Sequence, residues 1–140
     1  AAAEGNYRLC QALLGLDARI EATDKNKATP LLLAVERNRP TVVSLLLRYG
    51  ANPRVRDYAG WTLLHHAAHN NATDILEQLL YTADLAAPDV DATCPAKKTA
   101  LHHCADLTLY DSAKVLLQHG ADPNKLDIAN RTPLWFAVSK

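Results

Sequence analysis

The sequence predicts an all-α solenoid of stacked helix-turn-helix units. One observation is a seven-residue segment that recurs four times, as TPLLLAV from Thr29, TLLHHAA from Thr62, TALHHCA from Thr99 and TPLWFAV from Thr132. A second is the spacing. The threonines stand 33, 37 and 33 residues apart, a period that belongs to repeat arrays. The third is a pair of leucines late in each full unit: Leu46-Leu47, Leu79-Leu80 and Leu116-Leu117. A helix pair of this size cannot bury a core alone, so neighbouring pairs must stack into a continuous array.

The elements follow in chain order. Leu13-Leu14 lies 33 residues before Leu46-Leu47, so a partial unit precedes the first Thr, and residues 1–3 align only with the close of its first helix. Thr29-Pro30 and Thr132-Pro133 are helix starts. The Thr hydroxyl accepts from free amides, and Pro suits the first helical position because its missing N–H would be unpaired there. First helices are predicted over about 30–38, 63–71 and 100–107 and from 133 onward. Second helices begin near Pro40 and Thr73, where Val42, Val43, Leu46 and Leu47 have helical spacing. Gly50 and Gly120 fall where a helix closes on a left-handed residue. Five residues after each Thr stand Ala34, Ala67, Cys104 and Ala137, small enough for close helix approach. Five residues before stand Asp24, Asp57, Cys94 and Asp127; the aspartates are expected to shape turns by bonding loop backbone.

This pattern resembles the ankyrin-repeat family. TLLHHAA and TALHHCA match its T-P-L-H-x-A-A segment, Leu116-Leu117 its leucine pair, and GADPN at 120–124 its G-A-D-x-N close. The likeness covers essentially the whole chain. It implies L-shaped units, two antiparallel helices with a β-hairpin-like loop at about a right angle. The units are a partial repeat at 1–24, full repeats at 25–57, 58–94 and 95–127, and a partial repeat at 128–140. The 58–94 unit is four residues too long, with Ala83 for the glycine and Cys94 for the aspartate. A protruding or rearranged insertion is expected within 83–94, with Pro88, Asp84, Asp89 and Asp91 at the surface. At the other end Trp135, Phe136 and Val138 would be poorly covered, so further repeats or domains of the same protein are expected beyond both ends.

Fifteen basic and fifteen acidic residues leave a formal charge of zero, which removes any global electrostatic ground for binding nucleic acid or an anionic membrane. No apolar run approaches the roughly 18–20 residues of a membrane span, so no membrane insertion is expected. Cys10, Cys94 and Cys104 are an odd set without CxxC spacing, expected as free thiols in a reducing compartment, the cytoplasm or nucleus.

The histidines raise a metal reading. His65, His66 and His69 share a helix, and His102-His103 repeat the doublet. Zinc needs about four converging ligands. The resemblance instead makes His65 and His102 structural, bonding loop backbone between repeats. An ion shared by His66 and His103 is the weaker reading, and no metal or cofactor is expected. Cys104 cannot meet the adjacent His103 on one helix and reads as buried filler. There is no G-x-S-x-G elbow and no phosphate-binding glycine loop, so no catalysis is expected.

The resemblance places partner contacts on the hairpin tips and the exposed ends of the first helices, along a concave face. By position these are Lys25, Asn26, Tyr58, Trp61, Lys98 and Arg131 on the tips, and Glu36, Arg37, His69, Asn70, Asp106 and Leu107 on the helices. Tyr58 and Trp61 flank a Gly at an expected exposed turn and suit interface anchors, although Trp61 has the alternative of packing over a neighbouring hairpin. The expected function is a non-catalytic protein–protein interaction module that binds a protein segment. The alternative is the substrate-recognition or regulatory arm of a larger enzyme or channel.

Overall fold

The computed structural model describes residues 2–81 and 88–140. Among the described residues eight helices follow in order: α1 (Ala2–Leu14), α2 (Pro30–Glu36), α3 (Pro40–Arg48), α4 (Leu63–His69), α5 (Thr73–Leu80), α6 (Ala100–Asp106), α7 (Tyr110–Gln118) and α8 (Pro133–Val138). Each recurring Thr is the residue before a helix. Thr29, Thr62 and Thr132 accept from the amides of Leu32, His65 and Trp135 at 3.2, 3.4 and 3.3 Å. Such caps satisfy amides that have no partner within the helix.

The first helices are shorter than their sequence pattern predicts. Asn38, Asn71 and Thr108 turn left-handed, at φ 50°, 51° and 56°. The next amides, of Arg39, Ala72 and Leu109, fold back onto the carbonyls of Ala34, Ala67 and Cys104 at 2.8–2.9 Å. This closure ends each of these helices two residues past the small residue, at Glu36, His69 and Asp106. At the far ends of α3 and α7, Gly50 and Gly120 take φ 86° and 85°, the left-handed close expected of them. In the partial first unit the expected helix end is corrected: Ala2 and Ala3 do not close a separate helix, because Ala2–Leu14 is continuous.

The helices form two rows. α2, α4, α6 and α8 stack in sequence, as do α1, α3, α5 and α7. Between the rows lies one core, with Leu31, Leu32, Val35, Leu63, Leu64, Ile75, Leu76, Leu79 and Leu116 all but sealed from solvent. Each such side chain contributes about 1.5–3 kcal/mol through burial. Ala34, Ala67 and Cys104 are buried between first helices. Burial pushes the Cys104 thiol up to about 12, which leaves it a neutral filler.

The loops between units share one turn. The amides of Asp24, Asp57, Cys94 and Asp127 donate to the carbonyls of Ala28, Trp61, Lys98 and Arg131 at 2.9–3.2 Å. Among the described residues the hairpin character extends no further than an isolated antiparallel bridge between Arg56 and Thr62.

Two expectations of exposure are overturned. Pro88 is buried, and Asp91 is half-buried because it accepts the Asp122 amide of the next unit at 3.0 Å. That bond ties the end of the insertion down. Its earlier part, including Asp84, lies outside the described residues. Phe136, expected to be poorly covered, is only 4% exposed; the Lys98 ammonium and Arg131 guanidinium sit over its ring at 4.3 and 4.7 Å. Trp135 and Val138 are exposed as expected.

Candidate protein-binding face

The hairpin tips are held by aspartate carboxylates that accept the backbone amides of the turn. The Asp24 carboxylate accepts the amides of Asn26 and Ala28 at 2.8 and 2.9 Å, and Asp127 those of Ala129 and Arg131 at 2.9 Å. Asp57 accepts the Trp61 amide at 2.8 Å. The aspartates are therefore turn-formers, as their period implies.

The histidines at the third helical position bind the units together. His65 Nδ1 sits 2.7 Å from the Thr62 hydroxyl and accepts its amide at 3.3 Å, so Nε2 carries the proton and donates to the Lys98 carbonyl at 2.9 Å. His102 repeats this with Thr99 and the Arg131 carbonyl at 3.1 Å. Burial lowers the pKa of both rings and keeps them neutral.

The predicted contact residues separate into two groups. Lys25, Asn26, Glu36, Arg37 and Tyr58 are exposed, with Tyr58 at 80%. Asn26, Glu36, Arg37 and Tyr58 line a cleft of about 430 Å³ between the first two hairpins and α2, whose wall also includes Leu33, Asp24 and Asp57. Lys98, Asp106 and Arg131 instead serve the protein itself. Asp106 is shared by Lys98 and Lys140 at 3.7 and 3.1 Å. Arg131 pairs with Asp127 at 2.7 Å, and that bond holds the Asp127 carboxyl at about 2. Asn70 is also committed, donating to the carbonyl of Glu36 at 3.1 Å at the end of α2. His69 and Leu107 are exposed.

Trp61 is half-buried and does not project. Its ring centroid lies 4.6 Å from that of His103, 5.3 Å from His66, 5.8 Å from His65 and 5.9 Å from His69. It packs against imidazoles of two units and so spans their junction.

Two side-chain groups escaped the sequence reading. His66 Nε2 donates to the Asp57 carboxylate at 3.0 Å, with Glu36 at 3.9 Å. Cys94 and His103 hold the corresponding places one unit on, and with His65 they bring a thiol and two ring nitrogens within 4.8 Å of one another. Equal spacing from Thr62 and Thr99 was the available signal. His66 and His103 therefore belong to separate groups.

Residues 1–89 match the family model described as ankyrin repeats in three copies, and residues 97–128 match that of the single ankyrin repeat. The mouse B-cell lymphoma 3 protein homolog is 33% identical over 134 residues, covering 94% of this chain and 30% of that protein. Mouse inversin is 34% identical over 128 residues, covering 91% and 12%. Human ankyrin repeat and SOCS box protein 3 is 32% identical over 103 residues, covering 74% and 20%. The chain spans less than a third of each of these relatives.

Proposed function

The chain belongs to the ankyrin-repeat family, and from that premise we propose that it is a non-catalytic protein–protein interaction module whose concave face receives a segment of another protein. The observation that carries the reading is the cleft beside Tyr58. It combines an exposed aromatic, an exposed Leu33 and charges of both signs from Glu36 and Arg37 on a preformed scaffold. A rigid surface reduces the ordering cost of association, and aromatic side chains carry a large share of interface energy. The contact set centres on Lys25, Asn26, Glu36, Arg37 and Tyr58, extending to His69 and Leu107. Lys98, Asp106 and Arg131 lie at its edge, where their internal pairs weaken their claim on a partner. The repeat units run 1–24, 25–57, 58–94, 95–127 and 128–140. Three free thiols favour a reducing compartment.

Capture of proteins from a cell lysate by the immobilised chain tests this. Tyr58→Ala combined with Glu36→Arg is expected to abolish the captured band while circular dichroism is unchanged. Undiminished capture by that variant would place the contact elsewhere. A second reading, a recognition arm within a longer protein, is favoured by the small share of each relative that the chain covers.

A further inference from the structure

The third hairpin differs from its sisters in the chemistry it points at α6. In the second unit the Asp57 carboxylate accepts from His66 at 3.0 Å. In the third, Cys94 and His103 stand at the same two register positions, five residues before and four after Thr99. Cys94 is buried, and the His103 Nε2 is buried with no hydrogen-bond partner. Buried polar atoms are normally satisfied, so an orphan of this kind calls for an explanation. The His65 ring reaches the same point from α4. The Cys94 Sγ and one nitrogen from each of His65 and His103 all lie within 4.8 Å of one another.

We propose that Cys94, His65 and His103 bind a soft or borderline transition-metal ion, with zinc the representative case. A thiolate and two imidazoles suit such ions, and three protein ligands leave one tetrahedral position for water. Bond lengths of about 2.0–2.3 Å to zinc set ligand atoms roughly 3.5 Å apart, so the three side chains need close by about 1 Å.

The protons balance. The Cys94 thiol releases its proton to solvent on binding. The His65 Nε2 proton is lost from the Lys98 carbonyl, and Nδ1 takes up a proton that it donates to the Thr62 hydroxyl 2.7 Å away; the Thr62 amide, which donates to that nitrogen at 3.3 Å in the ion-free protein, gives up this acceptor, and the metal bonds must outweigh its loss. The Lys98 carbonyl is not orphaned, because it also accepts the Cys94 amide at 2.9 Å. The site is separate from the Tyr58 cleft, so it stands or falls apart from the partner-binding reading.

Cobalt(II) titration of the purified chain is the test, read by the thiolate-to-cobalt charge-transfer band, with zinc then measured by displacement. One cobalt per chain with that band is expected. Cys94→Asp should abolish the band, and His103→Phe should weaken affinity by about tenfold or more. Both variants use residues that sister units carry at these positions, Asp57 and Phe136, and circular dichroism checks their folding. His66→Gln should bind as the parent does. No charge-transfer band at about 1 mM cobalt, a band that survives Cys94→Asp, or an affinity unmoved by His103→Phe would overturn the proposal.

Discussion

The ring of Pro95 lies so close to Gly60 that a Cβ there would meet Pro95 Cγ and Cδ at 2.9 Å. The second and third hairpins touch at this point. Gly60 is left-handed at φ 81°, but Lys27, Lys97 and Asn130 hold the same place in their hairpins at φ 55–60°. Backbone conformation alone therefore does not demand glycine. Contact with the next unit does. Gly60→Ala is expected to cost about 2–3 kcal/mol, of which about 1 kcal/mol is the left-handed penalty. Gly50→Ala, at φ 86° with nothing within 4 Å of its Cβ, should cost only about 1 kcal/mol. Urea unfolding of both variants decides the matter, and equal losses would mean that Pro95 moves aside freely.

His65 links two units through one ring. In the first unit Leu32 fills the matching position, fully buried and without a polar link. His65→Leu keeps the volume but strips the Thr62 amide and hydroxyl of their partner, and the Lys98 carbonyl of one of two. A loss of about 1–3 kcal/mol is expected from the unfolding midpoint. Parent-like stability would show that packing alone sets the register of these units.

The parts of the fold that were legible depend on neighbours in sequence. Thr29, Thr62 and Thr132 cap amides three residues on, and Gly50 and Gly120 close their own helices. Contacts assembled by stacking were not legible. Trp61 draws its four imidazoles from α4 and α6, so its burial depends on how two units meet. Asp106 is claimed by Lys98 and Lys140, which come from different units. Pro88 read as exposed because its composition is that of a loop, yet the Asp91–Asp122 bond pulls that end against the next unit. The approach of Cys94 to His103 and His65 likewise arises only when α4, α6 and the third hairpin stack.

Acid should weaken the fold in two stages. Burial lowers the pKa of His65, His102 and His103, the last to about 4. The unfolded chain binds those protons near pH 6.5 and the folded chain only at lower pH, so their contribution is fully present above about 6.5 and lost as pH falls towards 4. Asp127, held at about 2 by its bond from Arg131, adds a loss as pH falls from about 3.8 to 2. Urea midpoints at about pH 7.5, 5.5 and 4.5 should decline in that order, and His103→Phe should flatten the decline. A midpoint constant across that range would contradict neutral, buried rings.

Tyr58 and Trp61 look alike in sequence, as two aromatics beside one turn, but they should respond to truncation in opposite ways. Tyr58 is 80% exposed, so Tyr58→Ala should shift stability by less than about 0.5 kcal/mol. Its effect belongs to partner capture. Trp61 fills the space among His65, His66, His69 and His103, so Trp61→Ala removes packing from the junction of two units. A loss of about 2–3 kcal/mol is expected, below the range for a fully buried ring because Trp61 retains some exposure. Any loss of capture by the Trp61 variant then mixes a contact with a loosened scaffold, whereas a loss by the Tyr58 variant reports the contact alone. Thermal unfolding of the two single variants separates the roles, and a Tyr58→Ala chain as destabilised as Trp61→Ala would remove Tyr58 from the binding face.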